Sequence, residues 1–352
     1  MSYTNGLDKP SNYFNTITWT ADGTSPRSFT GVGFQPDFVW GKRRSVAADH
    51  NLYDVVRGAG SNKALMSNST DAEGNASPSF GYLSSLDSDG FTATTGSTNN
   101  NYWNNGTDTY VAWNWLASNT TASNTDGSIT STVSANTTSG FSIGTFSGNA
   151  TTGATVGHGL GVAPSMFIVK KTNNLGDWYC YHSGIGATAF IKLNETGASA
   201  TNTLWNNTAP TSSVFSMDSN SAVNGSGDSY VFYAFAEKQG FNKAFSYSGN
   251  GSTNGSFVYC GFLPKFILLK ANASGYNWLI YDTARNTYNA IGKGLFPDSS
   301  NAEYDYGNVI DCVSNGFKFR STVTNESGIS YIGFAIAENP FVTSTGVPTT
   351  AR

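Results

Sequence analysis

Two short patterns set an acid and a cation three residues apart, directly behind a tyrosine: Tyr53-Asp54-Val55-Val56-Arg57 and Tyr281-Asp282-Thr283-Ala284-Arg285. A carboxylate and a guanidinium at that spacing can grip a polar ligand, or close on each other as an ion pair that ties the turn after a strand. A third copy of the stretch has His182 and Ile185 in those places and keeps the landmarks around them. A repeated ligand site would keep its polar groups, so Asp54, Arg57, Asp282 and Arg285 are expected to form structural ion pairs. Asp87-Ser88-Asp89-Gly90 resembles part of a calcium loop, but its counterpart Val313-Ser314-Asn315-Gly316 keeps only the turn. Gly157-His158-Gly159-Leu160-Gly161 is glycine-rich, yet no helical pattern follows to present an N-terminus to phosphate. No two of His50, His158 and His182 stand at metal-ligand spacing, and there is no nucleophile elbow and no His-Glu-x-x-His. The expectation is a non-enzymatic protein with no catalytic residue, metal or cofactor.

Aromatic rings set among amides are the remaining chemistry. Asn99 to Asn101 lead into Tyr102-Trp103-Asn104-Asn105, and Trp205-Asn206-Asn207 repeats the combination. A flat ring stacks on the apolar face of a sugar while amides bond its hydroxyls. Tyr102, Trp103, Asn104, Asn105, Trp205 and Asn206 are therefore the candidate ligand-binding residues, on loops outside the common scaffold. The competing use of each Trp is to fold back and cover its own sheets.

The elements that position these residues are written three times. Gly33-Phe34-Gln35-Pro36-Asp37-Phe38-Val39-Trp40-Gly41-Lys42 returns as Gly161 to Lys170 and as Gly261 to Lys270, always with Gly three before Pro and Lys six after it. Eleven residues after each Lys stands Tyr53, Tyr181 or Tyr281, and each copy closes on an apolar strand begun by Tyr110, Tyr230 or Tyr331. A unit of about 100 residues has the size of a small β-sandwich. The opening strands and the closing strands alternate, and Val111/Trp113/Trp115, Val231/Tyr233/Phe235 and Ile332/Phe334/Ile336 each share one face. Trp113, Tyr233 and Phe334 are expected to be the buried centres of their own domains. The strands after the prolines, Met166 to Val169 and Phe266 to Leu269, are apolar at every position and need cover on both faces from a loop, a neighbouring domain or another subunit.

The fold class is therefore all-β, three tandem antiparallel β-sandwiches of jelly-roll or lectin-like type made from an internal repeat. The boundaries are a polar leader at 1–12, repeat 1 at 13–117, a Ser/Thr/Asn linker at 118–140, repeat 2 at 141–239, repeat 3 at 240–341 and an extended arm at 342–352. The linker, with at most one short strand through Ile129 and Val133, would let the first domain swing while the other two stay fixed.

Composition agrees with this class. Only 12% of the 352 residues are charged against 14% aromatic, and Ser, Thr, Asn and 39 Gly supply the remaining polarity. A net charge of −4 and a pI near 5.3 leave no basic footprint for nucleic acid or an anionic membrane surface. No stretch is long and apolar enough to span a bilayer, and Met1 to Asp8 lacks the basic and apolar segments of a signal peptide. Cys180, Cys260 and Cys312 occupy places where other copies carry aliphatics, so buried free thiols are expected, with a Cys260–Cys312 bridge as the alternative.

The Gly-Phe-Gln-Pro-Asp-Phe-Val-Trp run, the Leu52 to Gly58 stretch, the Tyr110 to Trp115 strand and the ending Ala335 to Phe341 resemble a repeat domain of virion proteins from marine tailed bacteriophages, cyanophages among them. The similarity covers residues 13 to 341. It implies a tail-fibre or appendage component, made in the host cytoplasm and resident in the virion, with a role in host attachment and no catalytic residues. The implied partners are copies of itself in a symmetric oligomer, other virion proteins and a host surface glycan. A capsid decoration protein and a polysaccharide-degrading spike are the alternatives.

Overall fold

The computed structural model describes residues 6–75, 78–97 and 102–349. It is nearly all-β, with 43% of residues in strands and 3% in helices. Short β-branched and aromatic runs between glycine turns leave no segment with a helical stripe.

One four-stranded antiparallel arrangement recurs three times, as a whole sheet in repeats 1 and 3 and as the middle of an eight-stranded sheet in repeat 2. In the first repeat, Phe14–Thr20 pairs with Thr109–Trp115, which pairs with Phe38–Arg43, which pairs with Asn51–Asp54. The second repeat orders Phe141–Ser147, Ser229–Phe235, Met166–Lys171 and Trp178–His182 in the same way. The third does so with Asn242–Ser248, Ser330–Pro340, Phe262–Ala271 and Trp278–Asp282. Register is kept as well, since Trp113, Tyr233 and Phe334 stand opposite Trp40, Ile168 and Leu268. Pro36 and Pro164 precede their strands, whereas Pro264 lies inside Phe262–Ala271 at a register shift, where its missing N–H breaks no regular ladder.

Each of these sheets faces a second one across its own apolar cluster. The partners are Arg27–Phe29, Gly90–Thr94 and Tyr82–Asp87 in repeat 1, and Ala154–Gly157 with Val214–Met217 in repeat 2. In repeat 3 the partner has four strands, Phe257–Tyr259, Gly316–Phe319, Tyr304–Val313 and Ile291–Gly294. The opposite faces of the three large sheets meet in one further cluster that draws on all three repeats. Phe38 packs on Tyr233 at 4.6 Å between ring centroids, Phe235 on Phe334 at 4.9 Å and Trp113 on Phe266 at 5.9 Å. The doubly apolar strands are thus covered on one face by their own second sheet and on the other by sister repeats.

This arrangement corrects several expectations. Trp113, Tyr233 and Phe334 lie in the shared centre and not in the middle of separate sandwiches. Residues 118–140 contain two strands, Ala122–Asn124 and Ser131–Asn136, which extend the second repeat's sheet. The Asp37 carboxylate holds the N–H groups of Ala117 and Asn119 at 2.5 and 3.1 Å, so the exit from repeat 1 is fixed and the first repeat does not swing. Residues 342–349 form no extended arm, because Val342 bridges Pro348 and the Ser344 N–H donates to Asp8 at 2.7 Å; the rest of the expected arm, 350–352, lies outside the described residues. Cys180, Cys260 and Cys312 are buried thiols, and no disulfide joins them.

Candidate functional site

The polar residues shared by the repeats are spent on the junctions between them. The shared lysine of each repeat crosses to a carbonyl of a neighbour: Lys42 Nζ to Ser300 O at 3.3 Å, Lys170 Nζ to Thr70 O at 3.1 Å and Lys270 Nζ to Thr196 O at 3.3 Å. Three residues before each landmark tyrosine, a ring nitrogen makes a second crossing. Trp178 Nε1 donates to Met66 O at 3.0 Å and Trp278 Nε1 to Lys192 O at 2.8 Å, while His50 Nε2 lies 2.8 Å from Phe296 O. Trp40 Nε1 donates to His50 Nδ1 at 2.8 Å, which leaves the proton of a neutral imidazole on Nε2 for Phe296. These six crossings run from repeat 1 to 3, from 2 to 1 and from 3 to 2, so the repeats form a closed ring. Burial lowers the lysines from their ordinary range, Lys42 to about 7 and Lys170 and Lys270 to about 8.

The acid–cation pairs belong to the same ring. Asp54 Oδ2 accepts from Arg57 Nε at 2.6 Å and from the Tyr233 hydroxyl at 2.7 Å. Asp282 Oδ2 accepts from Arg285 Nε at 2.6 Å and from Trp113 Nε1 at 3.0 Å. At the third junction the facing ring is Phe334, which has no donor, and the acid is replaced by His182, whose Nε2 lies 3.0 Å from Gly333 O. The carboxylate occurs where the facing ring can donate, as a buried charge requires. All four residues of the two pairs are buried and closed on protein partners, which leaves them nothing to offer a ligand.

The six candidate ligand-binding residues do not form a surface. Tyr102 and Trp103 are buried in the first repeat's core, where Gly41 makes room: a Cβ on Gly41 would sit 2.3 Å from the Trp103 ring. Trp205 is buried against Phe167, at 4.7 Å between centroids. Asn105 and Asn206 are half-buried, and Asn104 and Asn206 adopt left-handed backbone that asparagine tolerates. Asn99 to Asn101 lie outside the described residues. The gain from burying an indole decides the outcome, since each Trp has a glycine or aromatic bed to enter.

Asn104, a ligand candidate by sequence, is one of three equivalent residues, six before the closing tyrosine, whose common structural role sequence reasoning missed. Asn104, Asn224 and Asn325 are wholly buried, and each amide clamps the turn after its opening strand. The hydroxyls of Tyr110, Tyr230 and Tyr331 accept the N–H of the residue that follows. The matching offset was the available signal.

The exposed surface is asymmetric. Among the described residues, the exposed large aromatics are Phe257, Tyr259, Tyr288, Tyr304 and Phe341, all in the third repeat. Two depressions there have ligand-like size. One, about 410 Å³, is lined by Glu237, Lys243, Tyr259 and Phe341, with the Lys243 ammonium 5.3 Å from the Tyr259 ring centroid. The other, about 420 Å³, is lined by Asn277, Phe296, Asn301, Ala302, Tyr304 and Tyr306. Among the described residues no group of His, Cys, Asp and Glu could hold a metal ion, and no helix is long and apolar enough to cross a membrane.

The shared lysines and the ring nitrogens before the landmark tyrosines join all three repeats into one body. The family model that matches spans residues 9–340 and so takes in all three repeats. The chain belongs to that family, described as a domain of unknown function, DUF7483. No curated protein and no solved structure matches it.

Proposed function

We propose that this chain is a non-enzymatic virion protein of a tailed bacteriophage, a rigid module of a tail fibre or appendage that takes part in host attachment. The observation that carries the reading is the one-sided distribution of exposed aromatics. Among the described residues, repeats 1 and 2 expose no large aromatic, whereas repeat 3 exposes five, of which Tyr259, Phe341 and Tyr304 line open depressions. Exposed rings are costly on a free surface and are the residues that anchor contacts. The sequence resemblance to marine phage virion proteins supplies the context. Contacts are assigned to host glycan and to other virion proteins. The doubly apolar strands find their cover within one chain and do not themselves call for a second copy.

The alternative of a capsid decoration protein is favoured by one observation, the burial of Trp103, which removes the loop on which host recognition was expected. Gold-labelled antibody against the chain, imaged on intact particles, decides between them. Label on the tail supports the proposal, label over the capsid supports the alternative, and unlabelled particles overturn both.

A further inference from the structure

Tyr304 and Tyr306 lie two apart at the start of the strand Tyr304–Val313 and so share a face, with ring centroids 4.6 Å apart at an interplanar angle of 65°. Tyr304 is 57% exposed. The backbone beneath is shaped for them. Pairing with Ile291–Gly294 shifts register between Ile291 and Lys293, which re-aims the side chains beyond it. A Cβ on Gly292 would collide with the Gly307 carbonyl at 1.7 Å, and one on Gly294 would press on the Tyr306 ring at 3.1 Å. Both glycines are therefore needed to lay this stretch down.

Beside the rings stand Asn277 and Asn301, whose side-chain amides make no hydrogen bond among the described residues and remain open to a ligand. No ionisable carboxylate or amine lines the depression. Glu303, next in sequence, is held by Arg44 and Arg285 at 2.9 and 2.8 Å. A second depression of about 180 Å³ shares Asn277 and Tyr306 and continues to Tyr276 and Tyr331, so the surface is long enough for more than one residue of a chain molecule. This groove is particular to repeat 3. The corresponding strand in repeat 1, Tyr82–Asp87, has 6 residues against 10, and repeat 2's small sheet has two strands and none in that place.

We propose that the Tyr304/Tyr306 groove binds a neutral glycan chain, the rings stacking on sugar C–H faces and the Asn277 and Asn301 amides bonding hydroxyls. The inference rests on the reading of the third repeat as the contact surface and names its ligand class. The test is calorimetric titration of the full chain with linear neutral oligosaccharides of glucose, galactose and N-acetylglucosamine, with an acidic series in parallel. Saturable binding to a neutral series is expected, weakened at least about tenfold by Tyr304→Ala and by Asn301→Ala with unchanged melting temperature. Absence of saturable binding to any neutral series, binding of the acidic series alone, or undiminished binding by Tyr304→Ala overturns it. Sugar binding by a chain that proves absent from virions would sink the functional proposal and leave the glycan site standing.

Discussion

The junction between repeats 1 and 3 can be rewritten in the chemistry of the junction between 3 and 2. Trp113→Phe supplies the ring found at Phe334 and strips Asp282 of a donor. Hydrogen bonds to buried charges are worth about 1.5–3 kcal/mol, so the variant is expected to lose about that much. Asp282→His alone leaves Arg285 with the Glu303 carboxylate at 2.8 Å and the Ile280 carbonyl at 2.8 Å but without its closest partner. Breaking a buried pair costs about 3–5 kcal/mol, and the surviving contacts place this case toward the lower end. The triple variant Trp113→Phe/Asp282→His/Arg285→Ile removes the orphaned groups together and reproduces Phe334, His182 and Ile185. It is expected to recover most of the loss, a coupling of about 0.5–3 kcal/mol relative to the summed single changes. Guanidinium unfolding followed by tryptophan fluorescence and far-ultraviolet circular dichroism measures each variant. Because Trp113 sits in the shared cluster, all variants should move one common transition. Additive effects, or a transition that splits so that only repeat 1 moves, would refute the ring.

Two further outcomes follow from the same packing. Stability should rise with pH between 7 and about 9.5: the unfolded chain holds lysine protons that Lys42, lowered to about 7 by burial, has already shed, and Lys170 and Lys270, at about 8, add to the effect. The Lys42 share is about 2 kcal/mol between pH 7 and 9, and Lys42→Met should flatten the melting curve against pH by that amount; above pH 10 the buried tyrosines reverse the trend, since burial raises Tyr53, Tyr233 and Tyr281 and only the unfolded chain ionises. A fragment of residues 240–341 should fail to fold on its own, because Phe266, Leu268, Trp278, Ile280, Ile332 and Phe334 lose their cover; a sharp, fully folded amide proton spectrum for that fragment would contradict the shared core.

Sequence made the strands legible because period-two alternation and matching offsets are local properties. The doubly apolar runs at Met166 to Val169 and Phe266 to Leu269 announced that both faces are covered, yet a run of apolar residues carries no information about what covers them. That is why the alternation places Trp113 in its own sandwich, whereas its neighbours include Phe266 of another repeat. The ligand candidates failed for a related reason. Trp103 among asparagines has the composition of a sugar platform, but its position is decided by the empty space at Gly41, a tertiary fact. Tyr304 and Tyr306 passed unremarked because tyrosines two apart in a strand look like any half-buried pair. What marks them is the bulge and the glycines that turn them outward.

The variation among the three copies, which at sequence level argued only against a shared ligand site, carries the logic of the junctions. Asp54 faces Tyr233, Asp282 faces Trp113 and His182 stands beside Phe334, so acid and donor are kept together or lost together. Residues of different repeats that change in step need a physical contact to couple them, and the closed ring provides it. The apolar faces of the three sheets carry the same conclusion, because each is covered by residues of the other two repeats. Three large sheets, each apolar on both faces, satisfy that need only when all three are present.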